Sequence, residues 1–137
     1  DDAVMCTGDS DGGAHGGLSG EASFPTYRST TGARDRGRGP KLPLERVVQL
    51  QTSKTADAYG LKDRGRIEVG KLADINVIDF DNLHLHAPKM VHDLPAGGRR
   101  LLQDVDGYRY TIKSGHVTFE NGEPTGARPG GVLRSGR

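Results

Sequence analysis

Tryptophan is absent from this 137-residue chain, and three Phe and four Tyr are its only large aromatic rings. Such rings cannot carry the interior. The 33% hydrophobic content predicts a thin core, richer than that of a disordered chain, with apolar surface left over for a partner. A single cysteine, Cys6, excludes an internal disulfide, so the fold does not depend on an oxidising compartment. No apolar run approaches the roughly 20 residues that cross a bilayer. No secretory leader is recognisable where the chain opens on two aspartates. Neither sign of charge is in excess, with 19 basic and 18 acidic residues. That removes a general drive toward nucleic acid or anionic membrane, and neither is expected as a partner. We read the chain as cytoplasmic. Its length suits one ordinary domain but not an eightfold β/α barrel, which needs about 250 residues. Without an initiator Met, it reads as a portion of something longer.

What is plentiful is glycine, at 21 residues. Ala3–Thr7 is a short apolar run of the kind buried in a parallel sheet, and it opens onto the Gly-rich stretch CTGDSDGGAHGG. Phe24 to Lys41 reads as an irregular basic loop, either solvated or a phosphate-binding arm. Leu44, Val47, Val48 and Gln51 fall on one helical face, with Pro43 at its start. Thr52 and Ser53 interrupt that helix and can cap a short second one through Ala56 to Tyr59, stopped by Gly60. Alternation then takes over. Arg66–Gly70 reads as one strand, Ala73–Asp79 as a stronger one, and Tyr108–Lys113 as a third. Ser114-Gly115 turns the last into a return strand bearing Val117 and Phe119, and Asn121-Gly122 marks another tight turn. A Pro- and Gly-containing excursion, residues 87–98, interrupts this region, and the last residues form a tail. The boundary falls at residue 60: a strand–loop–helix unit over 1–60, and an antiparallel β assembly over 61–137.

Asp9 and Asp11, two apart after a strand, point the same way if the segment is extended. The glycines beyond Asp11 let backbone approach a substrate or a metal, and His15 can supply a neutral nitrogen ligand or a proton relay. The same Asp-Ser-Asp-Gly-Gly is also ordinary turn chemistry. His84-Leu85-His86 puts two imidazoles on one strand face, the geometry of a paired metal ligand. His92 and His116 could complete a set, but no Cys, Asp or Glu falls at a familiar zinc spacing around them, and a polar strand face is the plainer reading. Cys6, inside an apolar strand, reads as an inert thiol. No dinucleotide fingerprint or phosphate loop is present.

GLKDRGRIEVGKLADINVIDFDNL, residues 60–83, resembles the exit from the barrel in metal-dependent amidohydrolases. There, Gly-Leu and an Asp-Arg-Gly turn lead to Ala-Asp and an apolar strand ending in Asp. SDGGAH, residues 10–15, is similar to the Ser-Asp element after the eighth barrel strand. GYRYTIKSGHVTFENGEPTGARPGGVLR resembles the terminal strands of the N-acyl-D-amino-acid deacylase branch, D-aminoacylase-like. Thr55 departs from that branch, where a proline is common before the second helix's alanine. The resemblance implies an α+β fragment: the last β/α unit of a TIM-type barrel, then a small, mainly antiparallel β-sandwich portion. It implies a zinc-dependent hydrolase of amide bonds, in which metal-bound hydroxide attacks the carbonyl. Asp11 would be both metal ligand and proton shuttle, with Ser10, Gly12, Gly13 and His15 near the substrate. N-acyl amino acids are the implied substrates, and a cyclic-amide hydrolase of the dihydroorotase or hydantoinase kind is the alternative. A different class, a β-rich interaction module contacting partners through its Arg-rich loop, stays open beside them. The family's other ligands include a His-x-His early in the barrel, and nothing before Asp1 supplies it. His84 and His86 come after the barrel in the family order and cannot replace it. One carboxylate does not hold zinc tightly, so the chain alone is expected to be inactive. Its exposed strand edges are expected to promote self-association.

Overall fold

The structure is a computed structural model, and it describes residues 23–133. The expected strand Ala3–Thr7 and the Gly-rich stretch after it lie outside the described residues.

The first described helix, α1, spans Phe24–Tyr27 with Pro25 in its opening turn, where a missing N–H costs nothing. It continues as a wider π-helical stretch over Arg28–Asp35. This corrects the expectation of an irregular loop. Local propensity there is poor, and hydroxyl groups explain the widened winding. Ser29 and Thr30 donate to the carbonyls of Pro25 and Thr26, at 2.9 and 3.1 Å, competing with the ordinary helical ladder. Tertiary contacts hold the segment in place. Thr26 shares a 2.9 Å hydrogen bond with the Tyr108 hydroxyl, and the Gln51 amide donates to Pro25 O.

Helix α2, Leu44–Gln51, forms as its apolar spacing predicts, burying Val47 and Leu50. Helix α3, Ser53–Ala58, follows at once and buries Ser53 and Ala56. The expected cap between them is not made. Thr52 turns its hydroxyl back to Val48 O at 2.7 Å, so it closes α2 rather than opening α3. The stop at Gly60 does form: its N–H donates to Asp57 O and that of Leu61 to Ala56 O, the paired bonds of a left-handed helix end.

No strand forms over Arg66–Gly70, a second correction. The segment is a series of turns, with Lys71 N–H on Glu68 O and Leu72 N–H on Asp63 O. Ile67 and Val69 stand 85% and 107% exposed. Alternation gave them strand character, but no described strand lies alongside to complete a ladder. The expected strand at Ala73–Asp79 shortens to β1, Ile75–Ile78.

Seven further strands follow: β2 His84–Leu85, β3 Lys89–Leu94, β4 Gly98–Leu102, β5 Val105–Asp106, β6 Tyr108–Lys113, β7 His116–Glu120 and β8 Glu123–Pro124. All pairings are antiparallel. A four-stranded sheet runs β1-β6-β7-β8, and β2–β5 and β3–β4 form two-stranded ribbons. The β3–β4 hairpin is a third correction, because it occupies most of the stretch read as a Pro- and Gly-containing excursion. Pro95 and Gly97 supply its turn, with Ala96 and Gly97 at φ 59° and 72°. The β6–β7 turn is the predicted one, with Ser114 and Gly115 at φ 51° and 82°, the pairing that matches strand twist.

The core of the described residues is small: Val47, Leu50 and Ala56 between the helices, and Leu83 where the helices meet the β region. Gly107 makes that meeting possible. Its φ is 99°, and a Cβ there would fall 2.7 Å from Leu83 Cα.

Candidate functional site

Ser10, Asp11, Gly12, Gly13 and His15, the residues singled out for chemistry, lie outside the described residues, as do Asp9 and Cys6. The nearest described structure to them in the chain is α1 with its π-helical extension. Its far end is fastened to the β region by Arg34. The Arg34 guanidinium donates to Phe80 O at 2.5 Å, Asp81 O at 3.2 Å and Leu83 O at 2.7 Å. It also grips the Asp35 carboxylate at two points, 2.7 and 3.0 Å, and lies over the Phe80 ring. The bond with Arg34 holds the Asp35 carboxyl below its ordinary range. Arg34 therefore spends its donors on one loop, and sequence reasoning, which treated it as part of a basic run, missed this role. The signal available was faint: an Arg-Asp pair one helical turn before the helix ends.

Beside Arg34 a cleft of about 330 Å³ opens between the π-helical stretch and β2, with Tyr27, Thr31, Asp35, His84, Leu85 and Gln103 in its walls. The His84 and His86 rings meet edge to face, 4.8 Å apart, so the sequence did place them on one side. His86 is engaged elsewhere: Nε2 lies 2.8 Å from Asp106 Oδ2, and its N–H donates to Asp104 O. His92 and His116 do not join them in a ligand set. Among the described residues no group of three or more His, Cys, Asp or Glu is arranged to hold a metal. The described part thus does not fit a catalytic metal centre, and Asp11 is left as the candidate ligand.

The residues that carried the resemblance do have visible work. In the Asp63-Arg64-Gly65 turn, Arg64 holds Asp63 at 3.0 Å and reaches Asp74 at 3.1 Å. Gly65, at φ 84°, sits so close to α3 that a Cβ would come within 2.7 Å of Ala56 Cβ. Asp74, of the Ala-Asp pair, accepts from the Ser114 N–H at 2.8 Å and from Lys113 Nζ at 2.9 and 3.0 Å. Burial alone would push its carboxyl upward. The hydrogen bonds from Lys113 and Ser114, with the Lys113 and Arg64 charges, hold it below the usual carboxylate range. Asp79, which ends the motif, accepts from Asn82 and Arg109 and is lowered by both. The motif is a brace: it ties α3, the β6–β7 turn and the 79–83 loop to β1.

Residues 3–119 match the Amidohydrolase family profile. Among curated proteins, the chain is 37% identical over 92 residues to a 5-methylthioadenosine/S-adenosylhomocysteine deaminase of Halobacterium salinarum, covering 67% of this chain and 20% of that protein. It is 32% identical over 93 residues to an N-acyl-D-glutamate deacylase of Alcaligenes xylosoxydans xylosoxydans, covering 68% and 17%. It is 34% identical over 71 residues to a dihydroorotase of Lactobacillus acidophilus, covering 52% and 16%. The chain thus spans a fifth or less of the length of these relatives. No solved structure matches it significantly. A family match running from the apolar run before the Gly-rich stretch to β7 identifies the chain as a member of the amidohydrolase family.

Proposed function

We propose that this chain is the C-terminal portion of a metal-dependent amidohydrolase that hydrolyses C–N bonds. The observation that carries the reading is the length of the family match, residues 3–119. It joins the Gly-rich stretch, the helices and the brace around Asp74 in one order. Within the family we assign it to deacylation of N-acyl-D-amino acids. The supports are the terminal segment 107–134 and the similarity to an N-acyl-D-glutamate deacylase. The dihydroorotase similarity favours a second reading, a cyclic-amide hydrolase.

Asp11 is our candidate for the residue that binds the metal, expected to be zinc, and carries a proton between water and the leaving amine. Ser10, Gly12, Gly13 and His15 would line the substrate side. Tight zinc binding takes three or four protein ligands, so the remaining ligands are assigned to other parts of the parent enzyme.

A segment exchange tests the substrate. The aligned segment of the Alcaligenes deacylase is replaced by that of this chain, and the hybrid is offered N-acyl-D-glutamate, other N-acyl-D-amino acids and dihydroorotate. Turnover of the acyl amino acids is expected. A folded hybrid that opens only the cyclic amide would move the assignment to the second reading.

A further inference from the structure

The two edges of the four-stranded sheet differ. At one, β8 is two residues long and ends in Pro124, which has no N–H to offer. At the other, β1 reads Ile75-Asn76-Val77-Ile78, with neither Lys nor Pro nor any charge inside it, the devices that normally blunt an edge. Three of its four residues are exposed. Backbone direction along β1 follows from its ends. Ala73 O accepts from Gly115 N–H, and Asp79 N–H donates to Gly107 O, so odd-numbered residues face β6. By alternation, Asn76 and Ile78 turn their N–H and C=O groups to the open side.

We propose that this edge pairs antiparallel with β1 of a second copy, about a twofold axis at Val77. In that register Asn76 and Ile78 of each chain exchange both backbone bonds with Ile78 and Asn76 of the other, so every outward group on the strand is matched. Val77 meets its own counterpart, and no carboxylate faces another: Asp79 lies opposite Ile75. Asp74 and Asp79, which flank the strand, are already balanced by Lys113, Arg64 and Arg109 within each chain. The twofold keeps each sheet face on its own side. The half-exposed stripe of Val77, Tyr110 and Val117 then runs on into the same stripe of the partner, giving an eight-stranded sheet. The self-complementary register and this charge balance are what commit the edge to a second copy. A four-residue strand pair buries little area, so the dimer is weak.

Sedimentation of the intact chain from about 10 μM to about 1 mM is expected to show a concentration-dependent doubling of mass. Asn76→Pro removes an outward N–H without touching the β1–β6 ladder and is expected to abolish the doubling with the circular dichroism unchanged. Val77→Lys, which brings two charges to the axis, is expected to do the same. Should both variants fail to fold, amide exchange of the unsubstituted chain decides. The Asn76 and Ile78 amides are expected to gain protection as concentration rises. A monomer throughout the range overturns the proposal, as does a dimer indifferent to both folded variants. Protection of those amides independent of concentration also overturns it, by assigning the edge to a strand from elsewhere in the same chain.

Discussion

Two glycines make sharply different demands. A methyl group at Gly107 would press on the Leu83 backbone at a φ of 99°, whereas one at Gly115 would meet nothing within 4 Å. Gly107→Ala is therefore expected to cost at least about 3 kcal/mol, combining clash with left-handed strain. Gly115→Ala should cost about 1–2 kcal/mol from strain alone. Urea denaturation of the two variants checks the order, and equal losses would contradict the close approach. The carboxylates make a second residue-scale case. Asp63, Asp74, Asp79 and Asp93 all sit below their ordinary value of 3.8 in the folded chain. Asp63 and Asp93 are lowered chiefly by Arg64 and Arg100. Lowered folded values mean that the unfolded chain takes up protons first as pH falls. The stability they lend is complete above about pH 5 and drains away below about pH 4. Thermal midpoints flat from pH 7 to 5 and falling toward pH 3 are expected, with Asp74→Asn shallower on the acid side. A midpoint that rises on acidification would contradict the sign.

Among the elements, Arg34 is the fastener between the π-helical stretch and the 80–83 loop. Lysine cannot replace it, because one ammonium does not span three carbonyls and a carboxylate as a planar fork does. Arg34→Lys is expected to cost about 1–3 kcal/mol and to speed amide exchange in residues 28–35 before the β6–β7 hairpin is affected. Uniform loss of protection would mean that the stretch is held by other contacts. The elements also show what the sequence made legible. Helix α2, the Gly60 stop, β1, β6 and the Ser114-Gly115 turn follow from local patterns that the fold reinforces. The helix at 24–35 did not, because Ser, Thr and Gly are weak helix formers and its contacts come from Gln51, Tyr108 and the 80–83 loop, far away in sequence. Residues 66–70 misled for the opposite reason: the alternation is present, but a strand needs a neighbour. Proline and glycine near 95–97 hid a hairpin because they were read as an interruption rather than as its turn. At the site, only the resemblance distinguished Asp11 from turn chemistry. Arg34 was hidden among neighbouring arginines, because nothing in a sequence says which cation points inward.

At the scale of the whole molecule, the described residues bury four apolar side chains and leave a half-exposed sheet face. This is the economy of a part built to lie against more protein. No helix among them is long and apolar enough to cross a membrane. Their ionisable side chains brace turns and loops, and no metal ligand set forms among them. Purified alone and supplied with zinc, the chain is expected to show no hydrolysis of N-acyl-D-amino acids above the uncatalysed rate. Clear turnover would mean that it holds a complete centre.

The central claim is that Asp11 completes a metal site whose other ligands come from the parent enzyme. Its most direct test is the zinc content of the hybrid deacylase, measured after dialysis with and without Asp11→Asn. The account predicts that the hybrid keeps zinc and that the Asn variant loses most of it, together with activity. Equal zinc and equal turnover in the two would contradict it.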